Sequence, residues 1–301
     1  MLGALVMGVL SACQVDNPGP GDTLSAPSTA TPRRVVDDLA YGSADDQVLD
    51  VLRPSSRPSN RRALVWLHGG GWIFGDENGL PPLLNDLVER EGYTVFAVRY
   101  RLAAKAIFPA AVNDVDLAMR WIKVHGGEYG VDTRRLVTLG FSSGAHLAML
   151  EGFSNGAFAA PDLPPDLAAV DPTPAAIVAL AAPVDLPGFA GYTNGGRDML
   201  LSFLGCTSIE VCNPALLAAA DPVAYADPAD PKVYLAQGDS DHVVPVLPTD
   251  AAVTQLETRL GIDRIWYDRV DTGDVSVRDH DLDYGVNRKV LGLFIAAAEA
   301  R

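Results

Sequence analysis

The feature that most narrows the possible folds is an alternation. From Val35 onward, apolar runs of strand length are separated by longer segments with helical spacing, a pattern that yields a mostly parallel sheet covered on both faces. The strand candidates are Val48–Leu52, Ala63–Leu67, Thr94–Tyr100, Leu136–Gly140, Ala176–Ala181, Val233–Ala236 and Ile265–Tyr267. Helices are expected over Leu80–Glu91, Pro109–Val124, Ser143–Glu151, Leu247–Leu260 and Gly285–Ala300. In the second of these, Ala111, Val112, Val115, Leu117, Ala118, Met119, Trp121 and Ile122 recur at spacings of three and four, so one face should pack on the sheet. Two stretches, 153–174 and 185–230, do not follow the alternation; excursions of this length from a compact sheet are usually binding loops or lids, and both are expected to be small cap insertions in one α/β domain over 35–301.

Composition sets limits on partners. Of 301 residues, 48% are hydrophobic, enough for a single large core, and 38 acidic against 23 basic residues give a net charge of −15, which repels phosphate backbones and excludes nucleic acid as a natural partner. Three cysteines, with no Cys-x-x-Cys or His-x-x-x-His spacing, support neither a disulfide-built scaffold nor a zinc cage. No metal and no cofactor is expected. Cys206 and Cys212 form an even pair in one short loop, open to either a local disulfide or two free thiols.

Two glycine-rich segments carry the chemistry. Gly140-Phe141-Ser142-Ser143-Gly144 lies directly between a strand candidate and a helix candidate, the context a nucleophile elbow requires: glycines on either side allow the close approach while the Ser142 hydroxyl stands above the sheet at a helix N-terminus. His68-Gly69-Gly70-Gly71-Trp72 follows the strand Ala63–Leu67, and bare glycine amides in such a bend can converge on an anionic oxygen. His68 is expected to brace this loop. Trp72 either walls a substrate pocket or packs in the core.

With these motifs in place the sequence resembles α/β-hydrolases of the carboxylesterase/lipase group, the hormone-sensitive-lipase-like and feruloyl-esterase-like enzymes. The likeness also runs through Tyr100-Arg101-Leu102-Ala103, Phe108-Pro109-Ala110-Ala111 with Asp114, Tyr129-Gly130-Val131-Asp132, Asp221-Pro222 and Gly238-Asp239-Ser240-Asp241-His242-Val243-Val244-Pro245. It implies an α/β-hydrolase fold with a mostly parallel eight-stranded sheet and helices on both faces. Departures are Phe141, where the group commonly has Asp, Ala145, where it has Gly, and Ala104-Lys105, where it has Pro-Glu. These bear on substrate more than on reaction.

A serine hydroxyl needs a histidine base, and the histidine needs a carboxylate to fix its tautomer. In this fold the chain order is Ser, acid, His. His68 and His125 precede Ser142, His146 follows it within one helical turn, and His242 lies in the expected acid loop, which leaves His280. The resemblance puts the acid at Asp241, with Asp239 as the alternative. The expected reaction is hydrolysis of small or short-acyl carboxylic esters through an acyl-enzyme on Ser142, with the N–H groups of Gly70, Gly71 and Ser143 as oxyanion hole. An amidase, peptidase or aryl formamidase would use the same triad, and a non-catalytic binding module could sit on the same scaffold.

At the N-terminus, the apolar run Met1–Leu10 followed by Ser11, Ala12 and Cys13 resembles the lipobox end of a bacterial lipoprotein leader, although no Lys or Arg precedes it as a secretory leader requires. The resemblance implies a leader over 1–12, lipidation of Cys13 and an extracytoplasmic, cell-envelope or secreted protein. An unprocessed tail is the alternative. Residues 13–34, rich in Pro, Gly, Ser, Thr and Asp, have too little apolar surface to offset chain entropy and are expected to be a tether.

Overall fold

The computed structural model describes residues 30–191, 195–271, 280, 291, 292, 294 and 295. The proposed leader, Cys13 and most of the tether lie outside them, as does most of the helix expected over Gly285–Ala300. Strands β1 (Arg33–Ala40), β2 (Val48–Arg53), β3 (Ala63–Leu67), β4 (Thr94–Val98), β5 (Val137–Phe141), β6 (Ala176–Leu180), β7 (Lys232–Gly238) and β8 (Ile265–Val270) form one sheet. Its order is β1-β2-β4-β3-β5-β6-β7-β8. The β1/β2 and β2/β4 pairs are antiparallel and every later pair is parallel.

The central strands are buried on both faces, which explains their unbroken apolar runs. Along β3, Ala63, Val65 and Leu67 face one core cluster while Leu64 and Trp66 face the other. The same period of two divides Phe96 and Val98 from Val95 and Ala97 on β4. On the second face lie α1 (Pro82–Asp86) and the π-helical turn Leu87–Glu91. The helix expected from Leu80 starts at Pro82 because Leu80 and Pro81 each precede a proline, which pushes both out of the helical region. Leu291, Phe294 and Ile295 are buried on this same face, where the Phe294 ring lies 5.3 Å from that of Trp266. The first face is covered by α2 (Ala110–His125) and α3 (Ser143–Phe153). Along the chain follow α4 (Pro165–Ala168), α5 (Leu186–Ala190), α6 (Gly195–Leu204), α7 (Pro214–Ala220) and α8 (Val246–Leu260). The stretch 153–174 thus carries α4, and 185–230 carries α5, α6 and α7, with Cys206 and Cys212 joined in a disulfide whose Cα atoms are 5.3 Å apart.

Residues 33 and 34, expected at the end of the tether, instead begin strand β1. This edge strand has register shifts after Arg34 and after Val36, so its side chains never settle into the simple alternation by which a half-buried strand is recognised. Charge pairing holds it: Arg34 Nη1 is 2.7 Å from buried Asp50 on β2, and Arg99 pairs with Asp38 and Glu77.

Helix α3 contains a costly group. Glu151 is buried and, among the described residues, neither carboxyl oxygen has a hydrogen-bond partner. Burial, with Asp116 adding to it, raises its pKa well above the ordinary range, so the folded protein holds a proton that the unfolded chain releases at neutral pH. The group therefore favours unfolding increasingly as pH rises above the ordinary glutamate range. Glu151→Met is expected to stabilise the protein at pH 7.5 by about 1–3 kcal/mol and to flatten the decline between pH 5 and 8. Thermal unfolding of both proteins across that range is the measurement.

Candidate active site

The chain turns from β5 into α3 at Ser142, whose φ of 54° and ψ of −121° lie in a region that a residue with a side chain rarely occupies. Packing holds it there. The Ser142 N–H donates to Leu180 O at 2.8 Å and its carbonyl accepts from the His146 N–H at 3.1 Å. The flanking glycines are steric necessities: a methyl group at Gly140 would collide with the Gly144 carbonyl, and one at Gly144 with the Leu67 and His68 carbonyls. Helix α3 thereby lies against the end of β3, where the glycine loop begins.

In that loop Gly70 and Gly71 have φ of 118° and 59°. A side chain at Gly70 would strike the Phe74 carbonyl, one at Gly71 the Met199 thioether of α6, and one at Gly69 would come within 3.3 Å of Ser142 Cβ. The loop is thus packed beside the serine. None of the described backbone hydrogen bonds uses the N–H of Gly70, Gly71 or Ser143, and Ser143 is the first residue of α3, where the helix dipole presents its positive end. His68 braces the loop: its Nδ1 lies 2.8 Å from Gly69 O, its ring stacks on Tyr100 at 4.3 Å, and the Tyr100 hydroxyl donates to His68 O at 2.8 Å. Burial lowers the His68 pKa, keeping the ring neutral. The next loop is held by buried Asp114, which accepts from the Arg101 N–H at 2.8 Å and from its guanidinium at 2.6 Å.

At the far ends of β7 and β8 the remaining groups meet the serine. His280 Nδ1 is 2.7 Å from Asp241 Oδ2 and His280 Nε2 is 2.9 Å from Ser142 Oγ. An ionised carboxylate only accepts, so Nδ1 carries the proton and Nε2 is left to accept from the serine hydroxyl. Asp241 is buried, and its other oxygen accepts from the N–H groups of Val243 and Val244, both at 2.8 Å. Asp239 points elsewhere, accepting from the Ser240 hydroxyl at 3.1 Å.

Three contributors escaped sequence reading. Gln237, buried at the end of β7, donates to Asp241 at 3.0 Å and to Val244 O at 2.9 Å; a glutamine in an apolar strand was the available signal, since a buried amide requires partners. Phe141, the departure from the family's usual Asp, lies 5.0 Å from the His280 ring. Met199, on a helix that was not expected, backs Gly71.

Trp72 is 2% exposed and stacks on Phe203 at 4.7 Å, a packing that matches the core alternative rather than an open pocket wall. His146 is also buried in that cluster. His125 is on the surface against Glu128 and Trp121, and His242 is exposed in the loop after Asp241. The stretch 153–174 lines a separate cavity of about 440 Å³ with Tyr41, Gln47 and Arg101; none of Ser142, Asp241, His280 or the glycine loop borders it.

Comparison with known proteins agrees with this architecture. The BD-FAE family model matches residues 49–256, a span that includes the glycine loop, Ser142 and Asp241. The chain is similar to Esterase LipQ of Mycobacterium tuberculosis, 30% identical over 217 residues that cover 69% of this chain and 49% of LipQ. Among solved structures, a truncated carbohydrate esterase from gut microbiota superimposes with a TM-score of 0.74 at 20% identity, covering 92% of this chain and 99% of that one. A propionate-bound esterase of Thermogutta terrifontis gives a TM-score of 0.66 at 20% identity, covering 92% and 98%. The chain spans about half the length of the curated relatives it matches. With its sheet order, its strand-to-helix turn at Ser142 and a family match over more than half its length, the chain has the α/β-hydrolase fold and belongs to the BD-FAE family.

Proposed function

We propose that the protein is a serine carboxylesterase acting on small, short-acyl esters. The observation that carries this reading is the hydrogen-bonded series Ser142–His280–Asp241 beside a glycine loop with uncommitted amides. Esterase names among the relatives agree with it.

His280 Nε2 takes the hydroxyl proton as Ser142 Oγ attacks the ester carbonyl, and Asp241 stabilises the imidazolium that results. The carbonyl oxygen becomes an oxyanion held by the N–H groups of Gly70, Gly71 and Ser143. When the C–O bond breaks, His280 returns the proton to the departing alcohol, leaving the acyl group on Ser142. Water then repeats the sequence: His280 takes its proton, the hydroxyl adds to the acyl carbon, and Ser142 leaves with the proton as the acid is released. The whole cycle needs only protein groups and water. Short acyl groups are favoured by Met199, whose thioether fills the space against Gly71. The Leu10–Cys13 run supports an extracytoplasmic enzyme anchored through Cys13.

Ser142→Ala is expected to lower hydrolysis of p-nitrophenyl acetate by about 10⁴-fold or more and to abolish labelling by a fluorophosphonate. Retained turnover in the folded variant would refute the reading, and a wild type that cleaves aryl formamides or aminoacyl anilides in preference to esters would move it to the amidase alternative. Met199→Ala should shift the optimum along a C2–C8 p-nitrophenyl ester series toward longer chains by about tenfold in relative kcat/KM, since each accommodated methylene contributes about 0.8 kcal/mol. Mass analysis of the mature N-terminus should find Cys13 diacylated, and a free N-terminus upstream of Cys13 rules the anchor out.

A further inference from the structure

The residue after the two loop glycines is itself under constraint. Trp72 has φ of 60°, the left-handed region, which costs a bulky side chain about 1–2 kcal/mol and persists only where its surroundings impose it. Three contacts impose it here. The indole stacks on Phe203 at 4.7 Å, meets the edge of the His146 ring at 5.1 Å, and donates from Nε1 to His146 Nδ1 at 3.3 Å.

His146 is fully buried and lies one turn after Ser142 on α3. Its two ring nitrogens have opposite duties: Nε2 donates to Ala220 O, the last residue of α7, at 2.8 Å, while Nδ1 accepts from Trp72. Only the neutral ring with its proton on Nε2 can do both, and burial holds its pKa down to about 4, so the ring is neutral at ordinary pH. The backbone N–H of His146 donates to the Ser142 carbonyl at 3.1 Å. The imidazole thus joins the loop that carries Gly70 and Gly71 to the end of α7, while the backbone of the same residue belongs to the first turn after the serine. An apolar side chain would fill the same space without fixing the angle of the indole.

We infer that His146 is a positioning residue: through the indole N–H of Trp72 it sets where the amides of Gly70 and Gly71 stand relative to Ser142 Oγ. This rests on the reading of those amides as the oxyanion hole. It does not touch the substrate. Its contribution belongs to the transition state, where charge reaches the carbonyl oxygen, so it acts on kcat and leaves KM nearly unchanged.

A double-mutant cycle with Trp72→Phe and His146→Leu, read on p-nitrophenyl acetate, tests the inference. Each single variant is expected to lower kcat by about ten- to a hundredfold, the scale of a misplaced catalytic group, with KM within about twofold. Because both changes break the same link, the double variant should be no slower than the slower single one. His146→Asn, whose side-chain oxygen can accept near the position of Nδ1, should recover most of the loss. Should His146→Leu fail to fold, Trp72→Phe alone carries the test, since it keeps an aromatic ring beside Phe203 and removes the N–H that His146 Nδ1 accepts. Multiplicative losses, losses confined to KM, or kcat within twofold in Trp72→Phe overturn the positioning role while esterase activity in the wild type stands. A wild type inactive on every ester overturns the functional reading beneath it.

Discussion

The site depends on one close approach, that of the first turn of α3 to the end of β3. Gly144 lies against the carbonyls of Leu67 and His68, with Gly140 packed against the Gly144 backbone. No other residue type fits either place without shifting α3 against the central sheet. Because β3 continues directly into the glycine loop, the same contact that forces Ser142 into its strained conformation sets the distance from that serine to the loop. Strain and proximity have a single cause, and packing between parallel strands buried on both faces maintains both.

Electrostatics is arranged around that contact with little redundancy. The Asp241 carboxylate, buried where an isolated charge would be expensive, receives hydrogen bonds from Val243, Val244, Gln237 and His280. The His280 ring is in turn held between Asp241, Ser142 and the flank of Phe141. The other buried rings, His68 and His146, are kept neutral by desolvation. They brace and orient; the partly exposed His280 is the ring that reaches the serine hydroxyl.

Much of this was legible in the sequence because the relevant signals are local. A strand, a glycine-flanked serine and a helix follow one another without interruption, and β3 is found with the bounds its apolar run suggests. Chain order then reduced five histidines to His280, which the structure brings to Ser142. What could not be read was decided by distant contacts. Helix α6 has no neighbour in sequence that reveals its seat against Gly71, and its Met199 and Phe203 acquire meaning only beside the glycine loop and Trp72. The edge strand β1 was hidden because irregular pairing blurred its alternation. Trp72 stayed ambiguous because an aromatic side chain has the same composition signature in a wall as in a core.

The irregular pairing of β1 bears on how separate molecules meet. A sheet with a flat, apolar rim offers unpaired amides and carbonyls to any second copy that drifts alongside. Here the outer rim carries Arg33, Arg34, Asp37 and Asp38 on a strand whose register slips twice within eight residues. Extension of the hydrogen-bond ladder into a neighbour would bury those charges and meet a twisted, mismatched backbone. The rim therefore acts against runaway association at β1, the edge of the sheet among the described residues.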